Sequence, residues 1–447
     1  MHALSIAAFA ALPFGVSVPL AFVASPGGDR CAAAEHLVVH EWGTFTSMQG
    51  SDGIALEGLQ HEEESLPAFV YSRSKVRECP LRDRGYKGLE CDVSHVTRKM
   101  ETPVIYFYSP IAHRERVRVC FDHGLLSQWF PVTDLLGPPE HDRNAGPLDL
   151  SKVEKSFLEW DVDVLPHGKG ADAIPSVRSG EPWSFQRLPD SNVVRTHERT
   201  APRIGPVESE KFLFYRGLGA FALPIAARVT RAGLELSNNG KTDVQGLFVI
   251  QVENDRAAFR EAPVVRARGR TSMVALPLTR DASTSRDKEG SSEGSATASS
   301  AMSIDAMVER LIPALESKLV AAGLYPEEAE AMARTWERSY FRSEGLRVLY
   351  LVPDALTNAI LPLSIEPPPK SIVRVLVGRL ECITPSVEAD VQRALRDRRS
   401  ENAELRRTAT ERLDRLGRFL EPHLRRAIAE SDDAIVRASA EELLAGH

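Results

Sequence analysis

Apolar and polar positions alternate in short runs with a period of two between residues 37 and 276. Val117, Val119 and Phe121 alternate with Arg116, Arg118 and Cys120, and Leu158, Trp160, Val162 and Val164 repeat the pattern. A strand sends successive side chains to opposite faces, so each run predicts a half-buried strand. The apolar run 103–108 precedes the first of them, and Ser109-Pro110 between the two predicts a hairpin with a longer loop. Further strand signals fall at 212–215, at Leu234 and Leu236 before Asn238-Asn239-Gly240, at 247–252 and at 273–276. Many short strands punctuated by Gly, Asn and Pro predict a sandwich or barrel. The proline-rich polar stretch 138–206 predicts long ordered loops over it.

The period changes after residue 280. Residues 281–303 are rich in Ser, Gly, Thr, Lys and Glu, too poor in apolar surface to offset ordering, and predict a flexible linker. Ile304, Met307, Val308, Leu311, Leu315 and Leu319 then mark one helical face, with Ser303 as N-cap, Gly323 as stop and Pro313 as an expected kink. Pro326-Glu327-Glu328 opens a second helix through Trp336 and Tyr340. Strand signals return at 346–352 and 372–377 and are expected to complete the earlier sheet. From Thr384-Pro385 the chain reads as helical, its last pair, about 418–429 and 433–444, resembling a single HEAT-like hairpin. The expected fold class is therefore α+β: a β-rich, sandwich-like body with a helical segment and a helical C-terminal tail.

Residues 3–23 form an uncharged apolar run, followed by small residues and Ala32-Ala33-Ala34. That is the pattern of a secretory signal peptide over residues 1–34 rather than a retained anchor, and it predicts a periplasmic or extracellular protein with no stable membrane span after cleavage. The resulting organisation is a signal peptide (1–34), a β-rich domain (35–280), the linker (281–303), an α+β segment (304–383) and the helical tail (384–447). Of five cysteines, Cys31 leaves with the leader; Cys79 and Cys91 flank a polar loop and would close a local disulfide, while Cys120 and Cys382 lie in apolar surroundings as buried thiols. The formal net charge of −7 over 447 residues argues against a nucleic-acid partner.

Four blocks carry a resemblance. They are residues 39–47 (VHEWGTFTS), 100–108 (METPVIYFY), 210–217 (EKFLFYRG) and 345–350 (GLRVLY). Together they resemble an uncharacterised family of predicted exported bacterial proteins, and the resemblance implies export and one integrated body without supplying an activity.

Candidate chemistry is sparse. His36 and His40 share one face of a strand, and with Glu41, or with His61, Glu62 or Glu63, they are candidate ligands for zinc; Glu41 itself points to the other face. Gly217-Leu218-Gly219-Ala220-Phe221-Ala222 nearly spells a dinucleotide fingerprint, but Pro224 denies it the helix that must receive the phosphate, so it reads as a turn. Ser72-Arg73-Ser74-Lys75 and Gly290-Ser291-Ser292-Glu293-Gly294 spell hydrolase motifs without the flanking elements those motifs need. Asp122-His123 reads as a strand-end turn.

Glu101, Glu210, Lys211, Arg216, Glu344, Arg347, Arg374, Arg379 and Glu381 interrupt or border apolar strands. They predict either a buried ion network or a polar cleft recognising a carboxylate or glycan. The arginines of the tail, balanced by Glu401, Glu404, Glu411 and Asp414, read as a solvated helical face. These observations lead to an exported binding or scaffold protein of the bacterial cell envelope, its partner a protein or glycan. The alternative is a metal-dependent hydrolase using His36, His40 and nearby carboxylates, and a third reading makes the tail a docking surface.

Overall fold

The strand Val38–Gln49 is buried at every position but its first. A strand buried on both faces needs a layer on each side, and that requirement organises the body. The computed structural model describes residues 36–61, 65–73, 93–138, 148–198, 206–230, 233–274, 278 and 301–445. The signal segment 1–34, Cys79, Cys91 and most of the expected linker lie outside the described residues.

Val38–Gln49 sits in a nine-stranded sheet. The order is Arg256–Ala262, Leu247–Glu253, Gly345–Leu351, Ser371–Cys382, Val38–Gln49, Arg98–Tyr108, Leu213–Gly219, Gly124–Phe130 and Tyr71–Ser72. Val38–Gln49 runs parallel to Ser371–Cys382 and antiparallel to Arg98–Tyr108. A second sheet of six strands is built around His113–Asp122 and Lys155–Val164, with Leu363–Glu366 on its far edge. Val39, Phe45, Ile105 and Phe107 from the large sheet meet Val117, Val119, Phe121, Leu158 and Trp160 from the second in one continuous core. This is a sandwich.

The opposite face of the large sheet carries Trp42, Val104, Tyr106, Ile250, Leu349 and Val375, which pack against Met307, Leu311, Leu315, Met332 and Trp336. Those last five come from the helices Ile304–Ala321 and Pro326–Trp336. Their ends follow their sequence: Ser303 Oγ accepts the Ala306 N–H at 3.3 Å, Gly323 closes the first helix at φ 113°, and the Glu328 carboxylate reaches back to the Tyr325 N–H at 2.7 Å. The first helix runs through Pro313 as one element. The fold is thus mixed α+β, as expected, with a helical layer on a β-sandwich. The 304–383 segment places two strands in the middle of the large sheet rather than forming a body of its own.

Two expectations are corrected. Residues 98–108 and 113–122 do not form a hairpin. Arg98–Tyr108 already has a neighbour on each edge, Val38–Gln49 and Leu213–Gly219, so the chain turns at Ser109 and enters the other sheet. Asn192 clamps that corner: its Oδ1 accepts the Ser109 N–H at 2.9 Å, and its Nδ2 donates to the carbonyls of Ser109 and Leu165, each at 2.8 Å. The end of the expected linker is also ordered, because Met302 pairs with Ala257 through two backbone hydrogen bonds.

The tail has four helices, Pro385–Asp397, Ala403–Asp414, Leu420–Glu430 and Ala434–Ala445. The expected final hairpin is there, preceded by a second pair, and the two share a core of Val391, Leu395, Leu413, Leu424 and Val436. Among the described residues, no helix is long and apolar enough to cross a membrane. Cys120 and Cys382 are buried free thiols.

Candidate functional site

The three expected metal ligands have three different surroundings. His40 faces the helical layer, where its Nδ1 meets Glu328 Oε2 at 2.7 Å and its ring lies against Tyr325. Glu328 also accepts the Tyr108 hydroxyl at 2.8 Å. Burial, and then the Glu328 charge, push the Tyr108 phenol far above its ordinary value, so it stays a donor. Glu41 points the other way, into the sandwich core, and accepts the Tyr215 hydroxyl and, at 2.5 Å, Arg374 Nε. His36 is exposed at the start of the described chain. Among the described residues no three His, Cys, Asp or Glu side chains gather in a way that would hold a metal ion. His61 meets Glu421 of the tail at 2.7 Å, and Glu62 and Glu63 lie outside the described residues.

The near-fingerprint at Gly217 is the end of a strand, and the next element is the strand Ile225–Thr230 rather than a helix. His123, at φ 58°, makes the tight turn between two strands that the sequence indicated. Ser74, Lys75 and the Gly290–Gly294 motif lie outside the described residues.

Glu210 pairs with Arg187 at 2.6 Å, and Lys211 donates to the Arg187 and Pro189 carbonyls; of the other strand-interrupting charges, two groups matter for a site. The larger lies where the tail meets the helical side of the large sheet. Glu101 accepts Thr46 Oγ1 at 2.6 Å, the Tyr340 hydroxyl at 2.8 Å and Arg418 Nη1 at 2.5 Å. Glu381 binds Arg379 Nε at 2.6 Å and Arg347 Nε at 3.1 Å. Arg379 also lies flat over the Tyr340 ring, 3.9 Å from its centroid, a favourable cation–π position. Lys99 donates to the His61 carbonyl. Burial raises the Glu101 carboxyl, but Arg418, Lys99 and Arg379 together outweigh it and hold it well below the ordinary 4.5. This group is a buried ion network in which carboxylates face guanidinium groups.

The sequence flagged four of its charged members and missed Lys99 and, from the tail, Arg418. That residue is buried in the Gly417–Phe419 turn between two tail helices, whereas Arg407, paired with Glu404 and Glu411, is on the exposed face that the charge pattern indicated. The glycine before it and the phenylalanine after it were the available signal.

The second group borders a cleft. Asp243, Gln245, Leu351, Pro353, Asp354, Arg374 and neighbouring backbone line a cavity of about 300 Å³ at the end of strand Gly345–Leu351. That is at the lower limit for a small-molecule site. The Arg374 side chain is 8% exposed; its Nε is held by Glu41 and its Nη1 by Asn358 at 2.8 Å, while its Nη2 is itself buried and meets no partner at hydrogen-bond geometry among the described residues. Burial works against the guanidinium charge, but Glu41 and Tyr215 more than offset it. Arg374 is therefore a fixed cation, oriented by a buried carboxylate, at a cleft that also offers two acidic side chains and an amide. No family model matches this chain, and no curated protein matches it either.

Proposed function

We propose that this protein is an exported binding protein of the bacterial cell envelope, and that its cleft takes a small ligand bearing a carboxylate, such as an acidic sugar unit of a glycan. The observation that supports this reading is Arg374. A guanidinium held by a buried carboxylate loses little conformational freedom on binding, and a ligand carboxylate would reach it at Nη1, taking the place of the neutral Asn358 amide oxygen. Asp354 and Gln245 would accept sugar hydroxyls; Asp243 is held by Arg266 and the Ala267 N–H. The apolar leader and the resemblance of four sequence blocks to exported bacterial proteins support the location.

Titration calorimetry with glucuronate and with glucose tests it. A hydrogen bond to a charged group contributes about 1.5–3 kcal/mol, so glucuronate should bind roughly 10–150-fold more tightly than glucose. Asp354→Ala, an exposed change that spares the Glu41 pair, should weaken both sugars. Equal affinities, or no binding of either, would overturn the assignment.

A further inference from the structure

The corner between the two sheets carries a chain of polar groups that the cleft does not use. The Ile111 N–H donates to Ser109 Oγ at 3.2 Å, and Ser109 Oγ lies 2.5 Å from His113 Nε2. The hydroxyl keeps a second lone pair beside the one that accepts the backbone N–H, so its bond to Nε2 fits either tautomer of a neutral His113; with Ser109 as the donor, the imidazole proton sits on Nδ1. Nδ1 faces Glu115 Oε1 across 3.7 Å, too far for a hydrogen bond, and both side chains are 1% exposed. Nδ1 and both Glu115 oxygens lack hydrogen-bond partners. A carboxylate with no donors is expensive to bury.

We propose that Ser109, His113 and Glu115 form a proton-controlled latch at this corner, closed while the buried carboxyl holds its proton and released when it loses it. On ionisation Glu115 acquires a charge whose nearest answering group among the described residues is the imidazole. Closing the 3.7 Å gap means drawing His113 away from Ser109, the residue at which the chain changes sheets.

Among the described residues, the surroundings leave these groups to each other. On the paired strand, Val164 stands opposite His113 and Val162 opposite Glu115. From the large sheet, Leu37, Val39 and Phe107 face the same layer, and so do Glu41 and Arg374, which are bound to one another. The loop over the corner contributes the neutral Asn192. Arg114 and Arg116 alternate to the outer face, paired with Asp161 and Glu366. Among the described residues, His36 bears on His113: burial first and then His36 lower its pKa. Burial alone raises Glu115 from 4.5 to about 8.

The signs separate the two groups. Glu115, raised in the fold, contributes stability that is full below 4.5 and lost as pH rises through about 8. His113, lowered in the fold, contributes stability above 6.5 that is lost as pH falls through its folded value. Between 6.5 and 8 only the Glu115 contribution slopes.

The test is thermal unfolding of the full chain from pH 6 to pH 9, in wild type and Glu115→Gln, with carboxylic-acid C=O infrared difference spectra of both. The expected result is a Tm that falls across pH 6.5–8 in wild type, a flatter profile in Glu115→Gln, and a protonated-carboxyl band near neutral pH present only in wild type. Ser109→Ala, a mild change, should keep the band while lowering Tm at pH 6. Superimposable Tm profiles for wild type and Glu115→Gln, or no wild-type protonated band at pH 6.5, would overturn the latch.

Discussion

Replacing Arg418 with alanine should loosen the tail from the body. The side chain runs from the Gly417–Phe419 turn to Glu101, a carboxylate 5% exposed on the central part of the large sheet. Removing one member of a buried ion pair typically costs about 3–5 kcal/mol, because the other is left charged and unanswered. Here Thr46 and Tyr340 keep donating to Glu101, so the lower end, about 3 kcal/mol, is expected. All five tryptophans precede the tail, whereas residues 385–445 are largely helical. In urea unfolding, fluorescence therefore reports the body alone, whereas far-UV circular dichroism reports tail and body helices together, so early loss of the tail separates the two curves. In wild type the two curves should coincide. In Arg418→Ala the circular dichroism midpoint should fall below the fluorescence midpoint.

A double-mutant cycle with Glu101→Gln should give a coupling of about 2 kcal/mol. Glu101 is held below 4.5 in the fold, so its contribution is present above 4.5 and lost as pH falls through the folded value. The stability gap between wild type and Glu101→Gln should accordingly narrow in acid. A loss under about 1 kcal/mol, with coincident curves, would refute the role given to this pair, because exposed ion pairs contribute no more than that.

Three further outcomes are expected. Gly378→Ala would place its Cβ 2.1 Å from Tyr350 Cζ, and should lower the unfolding free energy by about 1–3 kcal/mol from overpacking, read in urea; an unchanged midpoint would contradict the close approach. Glu328→Ala removes the acceptor for His40, Tyr108 and the Tyr325 N–H, and should cost about 3 kcal/mol by leaving buried donors unmet, checked by the same assay. His40→Ala should change stability while leaving any copurifying zinc, measured by elemental analysis, unaltered; stoichiometric zinc lost with that substitution would favour the metal-hydrolase alternative.

What could be read from the sequence was what is local. The alternation at Arg116–Phe121 and at Leu158–Val164 gave strands whose burial follows the same two-residue period, since the pattern is itself the record of one face meeting a core. Ser303, Gly323 and Pro326 marked helix ends because capping chemistry is set within a turn. Strand partners were not legible. Val38–Gln49 pairs with Ser371–Cys382 across most of the chain, and nothing in either segment names the other, so the proximity of residues 103–108 to 116–121 suggested a hairpin that edge pairing elsewhere forbids. For the site, the intrusive charges Glu101, Arg347, Arg374, Arg379 and Glu381 were visible as exceptions to apolar runs. Their division into a buried network and a cleft was not visible, because it depends on Arg418, Glu41 and Asn358 arriving from distant elements. Ser109, His113 and Glu115 escaped notice for a related reason: the turn between them was expected to join paired strands, not two sheets.

The account's central claim is that a carboxylate docks at Arg374. Titration of isotopically labelled protein with glucuronate, followed through the arginine Nε–Hε resonances and the backbone amides of Gln245, Leu351 and Asp354, tests it most directly. The claim predicts saturable shifts in the Arg374 signal and in those amides, with the corner amides of Ser109 and Ile111 unmoved. Shifts confined to other parts of the molecule, or none at millimolar ligand, would contradict it.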